Sequence, residues 1–192
     1  MVKTASTMLA LGAPLPTFEL PDVTTGDLVT PADVAKAKGL LVMFICKHCP
    51  FVVHIKNGIA RLASDYIDSE IGIVAISAND VDNYPDDAPD NLAAMAGELG
   101  FGFPYLYDES QETAKAFSAA CTPDFFLFDG EGKLAYRGQM DDSRPGNDRP
   151  NDGRDLRAAM DHLIAGTPIS LDQKPSLGCN IKWKPGNAPS YF

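Results

Sequence analysis

Four cysteines, at 46, 49, 121 and 179, carry the clearest capacity for chemistry in this chain of 192 residues. Cys46 and Cys49 are separated only by Lys47 and His48. Thiols at this spacing can close a short-loop disulfide, and on a helix they share one face. The reacting species in such a pair is the thiolate. The sequence predicts Cys46 where a helix begins, a place whose N–H groups and dipole favour negative charge. Lys47 and His48 add cations, which lower a thiol pKa. Stabilising the reduced thiolate makes the disulfide a stronger oxidant. The chemistry implied is thiol–disulfide exchange, with Cys46 as the exposed attacking thiol and Cys49 resolving it. Zinc needs four ligands at paired spacings, and Cys121 and Cys179 offer no second CxxC, so no metal is expected.

The elements that must position this pair follow from pattern. Leu40 to Ile45 is an unbroken apolar run, which fits a strand buried on both faces. Behind the cysteines, Val52, Ile55, Ile59, Leu62 and Tyr66 recur at helical spacing. Ile71 to Ser77 reads as a second buried strand. Helices are expected over 91–99, ended by Gly100, over 110–120 and over 153–165. Strands are expected near 18–20, at 28–29, and over 103–107, 125–128 and 134–137. Thr30 and Pro31 open a short helix as N-cap and first position. The acidic stretch from Asn79 to Asp90 lacks the glycine and glutamate of a calcium loop and reads as solvated.

Strands joined by helices and closed by a hairpin give an α/β sandwich. That order resembles the thioredoxin fold, a three-layer α/β/α arrangement with a mixed central sheet. Here it carries an N-terminal β extension, an insertion and a C-terminal tail. The expected division is a thioredoxin-like domain over 1–166 and a tail over 167–192, packing on the domain or a neighbouring subunit through Trp183, Tyr191 and Phe192. In that fold a cis-proline faces the CxxC. The resemblance places Pro123 there, after Cys121 and Thr122, orienting a substrate strand beside the pair. An X–Pro bond can take either isomer, and the sequence leaves this one open. Cys121 is either a third redox thiol or a small buried residue. Cys179 is either a resolving thiol or structural. His54 lies off the Cys49 face, and His162 reads as a surface residue.

Several stretches carry a closer resemblance. They are Ala13 to Asp22, Phe44 to Pro50, Phe103 to Asp108, Cys121 to Phe126 and Gly178 to Lys184. Together they are similar to the peroxiredoxin-like thioredoxin proteins, within the alkyl hydroperoxide reductase/thiol-specific antioxidant and TlpA-like branch. The resemblance implies a redox-active CxxC with Cys46, Cys49 and Pro123 as catalytic residues and Lys47, His48 and Thr122 in support. The peroxidatic cysteine of peroxiredoxins falls on Cys49. Their supporting threonine falls on Cys46 and their active-site arginine on Pro123, so the donors that would hold a peroxide are missing. Arg137 is the nearest stand-in by sequence. A peroxiredoxin-like antioxidant working through Cys49 is therefore the alternative reading, and a non-enzymatic thiol sensor is a third.

Composition narrows the partners. The net charge is −10 and the pI about 4.6, which disfavours nucleic acid and anionic membrane surfaces. No run approaches a membrane span, and Met1 to Leu11 is too short and too weakly apolar for a signal peptide. The expectation is a cytoplasmic protein with no organic cofactor. It would exchange with protein or small-molecule thiols and disulfides and be reduced by thioredoxin, glutathione or a related system. A homodimer is left open.

Overall fold

The computed structural model describes residues 3–192. The predicted apolar run forms β4 (Gly39–Phe44), after β1 (Lys3–Ala5), β2 (Leu20–Pro21), β3 (Leu28–Val29) and α1 (Pro31–Val34). The remaining elements are α2 (Pro50–Tyr66), β5 (Ile71–Ser77), α3 (Pro89–Leu99), β6 (Tyr105–Tyr107), α4 (Glu112–Ala116), β7 (Cys121–Thr122), β8 (Asp124–Asp129), β9 (Leu134–Gly138), α5 (Arg154–Ala165) and β10 (Leu177–Asn180).

β4 is the centre of the sheet. β8 pairs with it antiparallel, from Gly39 opposite Asp129 to Phe44 opposite Asp124, and β9 continues beyond β8. On the other side β5 lies against β4, with the Ile45 N–H donating to the Ile76 carbonyl at 3.1 Å. β6 extends β5 in parallel. Both faces of β4 are covered, which is why its sequence shows no alternation. Leu41, Met43 and Ile45 point into a core built with α2, α3 and α5. Leu40, Val42 and Phe44 point into the opposite core, where Phe117 stacks edge-on against Phe44, Phe126 and Phe128.

Two features differ from the sequence reading. The helix expected over 110–120 is confined to Glu112–Ala116, because Ser118 takes a left-handed backbone (φ 52°) that no continuing helix allows. The C-terminal stretch also does more than pack back. β10 sits between β1 and β7 in a separate antiparallel sheet. Further on, the Tyr191 hydroxyl donates to the Ala119 carbonyl at 3.2 Å.

Gly100 closes α3 as expected, in a left-handed conformation with φ 63°. A Cβ there meets nothing within 4 Å, so only backbone strain resists substitution. Gly100→Ala is expected to lower stability by about 1–2 kcal/mol, read as a shift in urea midpoint with the slope unchanged.

Candidate active site

The thiol pair sits between the end of β4 and the start of α2. The helix begins at Pro50 with Cys49 as its N-cap, so the helix N-terminus falls on Cys49 rather than Cys46. This corrects the expected placement. A proline suits the first helical position because its missing N–H needs no partner there. Residues 46–49 form a bend before the helix. Cys46 was expected to be exposed, but it is only 1 % accessible and Cys49 is fully buried. Both belong to the apolar core under α2.

The two sulfurs share a hydrogen bond, and it divides their acidities. The Cys46 hydrogen bond, followed by donation from Cys179 and the Val52 amide, outweighs burial and brings Cys49 down to about 5. Burial first, then the adjoining Cys49 and the nearby Asp87 charge, push Cys46 well above the usual thiol range. The shared proton therefore rests on Cys46 and the negative charge on Cys49. A helix N-terminus stabilises charge at this position.

Thr122 and Pro123 come to the pair as expected, and the Thr122–Pro123 peptide is cis. The Cys46 sulfur lies 3.2 Å from the Thr122 hydroxyl, and Cys49 Sγ donates to the Thr122 carbonyl at 3.1 Å when protonated. The expected room for a substrate strand beside Pro123 is not found. The edge of β7 is already paired with β10, which sets Cys179 opposite Thr122. A small crevice beside the proline is lined by Phe51, Pro123, Arg144 and Ser176.

The two residues between the cysteines part company. Lys47 turns its ammonium to Asn91 Oδ1 at 3.4 Å, toward α3, so the expected effect of this cation on the thiols is not realised. His48 instead meets Asp87 at 2.5 Å through Nδ1 and stacks on Tyr84 with ring centroids 5.5 Å apart. The hydrogen bond to Asp87 raises the His48 pKa against the effect of its partial burial. Of the two residues between the cysteines, His48 is thus the one whose charge, when protonated, acts on the pair.

Asp87 is the residue that sequence reasoning missed. It lies in the acidic stretch expected to be solvated, yet it is fully buried, as are Asn79 and Asp80. Its Oδ1 accepts the backbone N–H groups of Lys47 and His48 at 2.8 and 3.1 Å. Its Oδ2 accepts Asn79 Nδ2 at 2.7 Å beside the His48 contact. Burial works against its charge, but these donors outweigh it and hold its pKa below the ordinary carboxylate value. The short turn Pro85–Asp87, followed by a proline that opens α3, delivers it. The sequence signal was Pro85 and Pro89 bracketing Asp86 and Asp87, which fixes the backbone on both sides.

The other candidates lie apart. Cys121 is buried and its sulfur faces the Pro123 carbonyl at 3.6 Å, with burial pushing its pKa well up. Arg137 binds the Leu9 carbonyl at 2.9 Å and Gln173 at 2.7 Å, so it does not stand in for a peroxide-binding arginine. His54 bonds Ser143 at 2.6 Å, and His162 is exposed. Among the described residues, Cys46, His48 and Asp87 place potential metal-ligating atoms within 4.8 Å of one another. A cation there would have to displace the His48–Asp87 contact and compete with three other donors to Asp87, so this set suits a proton better than a metal.

Comparison with known proteins agrees with this fold. The Redoxin family matches residues 10–156. This chain belongs to the Redoxin family. A conserved protein of Geobacillus kaustophilus, uncharacterized in function, is 50 % identical, with 97 % of this chain and 98 % of that one covered and a TM-score of 0.95. A hypothetical protein of Sinorhizobium meliloti is 46 % identical over 95 % of this chain and 100 % of that one, with a TM-score of 0.93. The thioredoxin domain of a thiol-disulfide oxidoreductase from Bacteroides vulgatus is 18 % identical, covers 78 % and 96 %, and has a TM-score of 0.58. That likeness speaks to the fold alone. No curated protein sequence matches. The redoxin has the thioredoxin fold, and no helix among its described residues is long and apolar enough to cross a membrane.

Proposed function

We propose that this redoxin is a thiol–disulfide oxidoreductase working through Cys46 and Cys49. One observation carries the reading: Cys49 caps the helix N-terminus, and both sulfurs contact Thr122, the residue before the cis-proline. Cys46 attacks one sulfur of a substrate disulfide while its proton passes to Cys49, and the substrate's other sulfur leaves as a thiolate. Cys49 then attacks the Cys46 sulfur. Its proton goes to the departing substrate thiolate, and the pair is left as a disulfide. Two electrons have moved from the pair to the substrate. Run in reverse, the site oxidises a dithiol. Pro123 shapes the wall beside the sulfurs, and His48, charged against Asp87, favours the thiolate. A thiol such as thioredoxin or glutathione returns the electrons, and no organic cofactor enters the step.

A thiolate held down near pH 5 stabilises the reduced form, so the pair should be more oxidising than thioredoxin at about −270 mV. Equilibration against glutathione, with free thiols trapped and mapped by mass, checks this. A two-electron couple confined to Cys46 and Cys49 and less negative than that value is the expected result. Absence of a Cys46–Cys49 disulfide at every glutathione ratio would remove the proposal.

One observation favours a second reading, the peroxidase: the low-pKa thiol is Cys49, where the peroxidatic cysteine of the resembling peroxiredoxins falls. Without a threonine or arginine aimed at it, we expect thiol-dependent peroxide consumption to be slow. Rapid consumption lost in Cys49→Ser would reverse the order of the two readings.

A further inference from the structure

The mechanism above leaves one thiol beside the pair unused. Cys179 lies on β10, opposite Thr122 on β7, so one residue links three sulfurs. Thr122 meets Cys46 through its hydroxyl and Cys49 through its carbonyl, and it pairs with Cys179 across the sheet. The thiol and the backbone N–H of Cys179 both donate to the Cys49 sulfur. Cys179 is 3 % exposed and belongs to the same core cluster as the pair.

The placement is held on every side. A Cβ on Gly178 would lie 2.0 Å from the Thr122 carbonyl oxygen and 2.5 Å from its carbon, so only glycine lets β10 approach β7 this closely. β1 covers the far edge of β10, with Lys3 opposite Cys179. Beyond the strand, the Lys182 N–H donates to Asn79 Oδ1 at 2.8 Å, and the same Asn79 holds Asp87. β10 is thus built into the site rather than laid over it, in the position where an incoming strand was expected.

We propose that Cys179 is an internal exchange partner of Cys49, which accepts the disulfide formed between Cys46 and Cys49 and returns Cys46 to its thiol form. The inference rests on the exchange reading of the pair. The Cys179 sulfur attacks Cys49, the Cys46–Cys49 bond breaks, and the Cys179 proton goes to the departing Cys46 thiolate. The step is an isomerisation within one chain. The number of disulfides and thiols is unchanged, and no oxidant is consumed. Its consequence is a stored oxidising equivalent on Cys49–Cys179 with Cys46 again free. Cys121 does not compete, because its sulfur is turned to the Pro123 carbonyl.

The test uses the full chain with Cys46→Ser, treated with oxidised glutathione, trapped in acid and mapped by mass after digestion. The expected result is joint loss of the Cys49 and Cys179 thiols to one intramolecular disulfide, without bound glutathione. Arrest of Cys49 as a glutathione mixed disulfide with Cys179 still free would overturn the inference. So would linkage of Cys49 to Cys121. Wild-type protein sampled over time covers the case in which the variant does not fold. There the Cys46–Cys49 disulfide should form first and the Cys49–Cys179 disulfide grow at its expense. If wild type forms the first and never the second, the exchange reading stands and this inference fails. If neither forms, both fail.

Discussion

Cys49→Ser is expected to cut disulfide-reductase turnover, measured on insulin with a chemical reductant, by about 10³-fold or more. The reason is where the charge sits. Cys49 is the only thiol brought down to about 5, and Cys46, Cys121 and Cys179 are all raised. Removing Cys49 removes the base that takes the Cys46 proton as well as the thiol that resolves the mixed disulfide. Cys46→Ser should also stop turnover, but it should differ in titration. A serine hydroxyl at 46 can still donate to Cys49, and donation from Cys179 and the Val52 amide remains against burial, so a thiolate should still titrate below the ordinary thiol range in that variant. In Cys49→Ser no such titration should survive. Followed by thiolate ultraviolet absorbance against pH, equal titrations in the two variants would refute this assignment of the charge.

The parts of the fold written in local pattern were legible without coordinates. The buried run at β4, the period of α2 and the αL glycine after α3 each depend on neighbours in sequence, and each is present. The CKHC pair was legible from that frame, and its approach to Thr122 and Pro123 came from the resemblance to the thioredoxin fold. What was not legible depends on long-range pairing. β1, β7 and β10 span only two to four residues each, too short for an alternating pattern to register. β10 also lies among prolines and glycines that read as a tail. Its role became visible only through its register with β7. Asp87 was hidden by its surroundings: it lies in a stretch rich in Asn and Asp, and composition does not say which of them turn inward. The helix start was placed a few residues early, which moved the favoured charge from Cys49 to Cys46. An error of that size is ordinary for a helix boundary, and here it changes which sulfur is ionised.

Asp87→Ala is expected to destabilise the protein by about 3–5 kcal/mol in urea unfolding, a loss on the scale of breaking a buried ion pair. The side chain accepts four donors, from two backbone N–H groups, Asn79 and His48. Alanine would leave the first three without an acceptor in a buried setting, where each unmade bond carries a desolvation penalty. Asp87→Asn should lose less, since one amide oxygen can still accept, but it removes the charge that His48 faces. Its cost should depend on pH, with a sign fixed by both partners. Asp87 is lowered from 3.8, so its contribution is present above that value and fades as pH falls through its folded pKa. His48 is raised from 6.5, so its contribution is complete below that value and fades as pH rises through its folded pKa. The difference between wild type and Asp87→Asn should therefore be greatest between these two ordinary values and shrink on either side. A difference that stays constant from well below the first value to well above the second would mean that Asp87 acts as a neutral hydrogen-bond acceptor and that His48 near the thiols is uncharged. Loss of the His48 charge would also remove one of the supports proposed for the Cys49 thiolate.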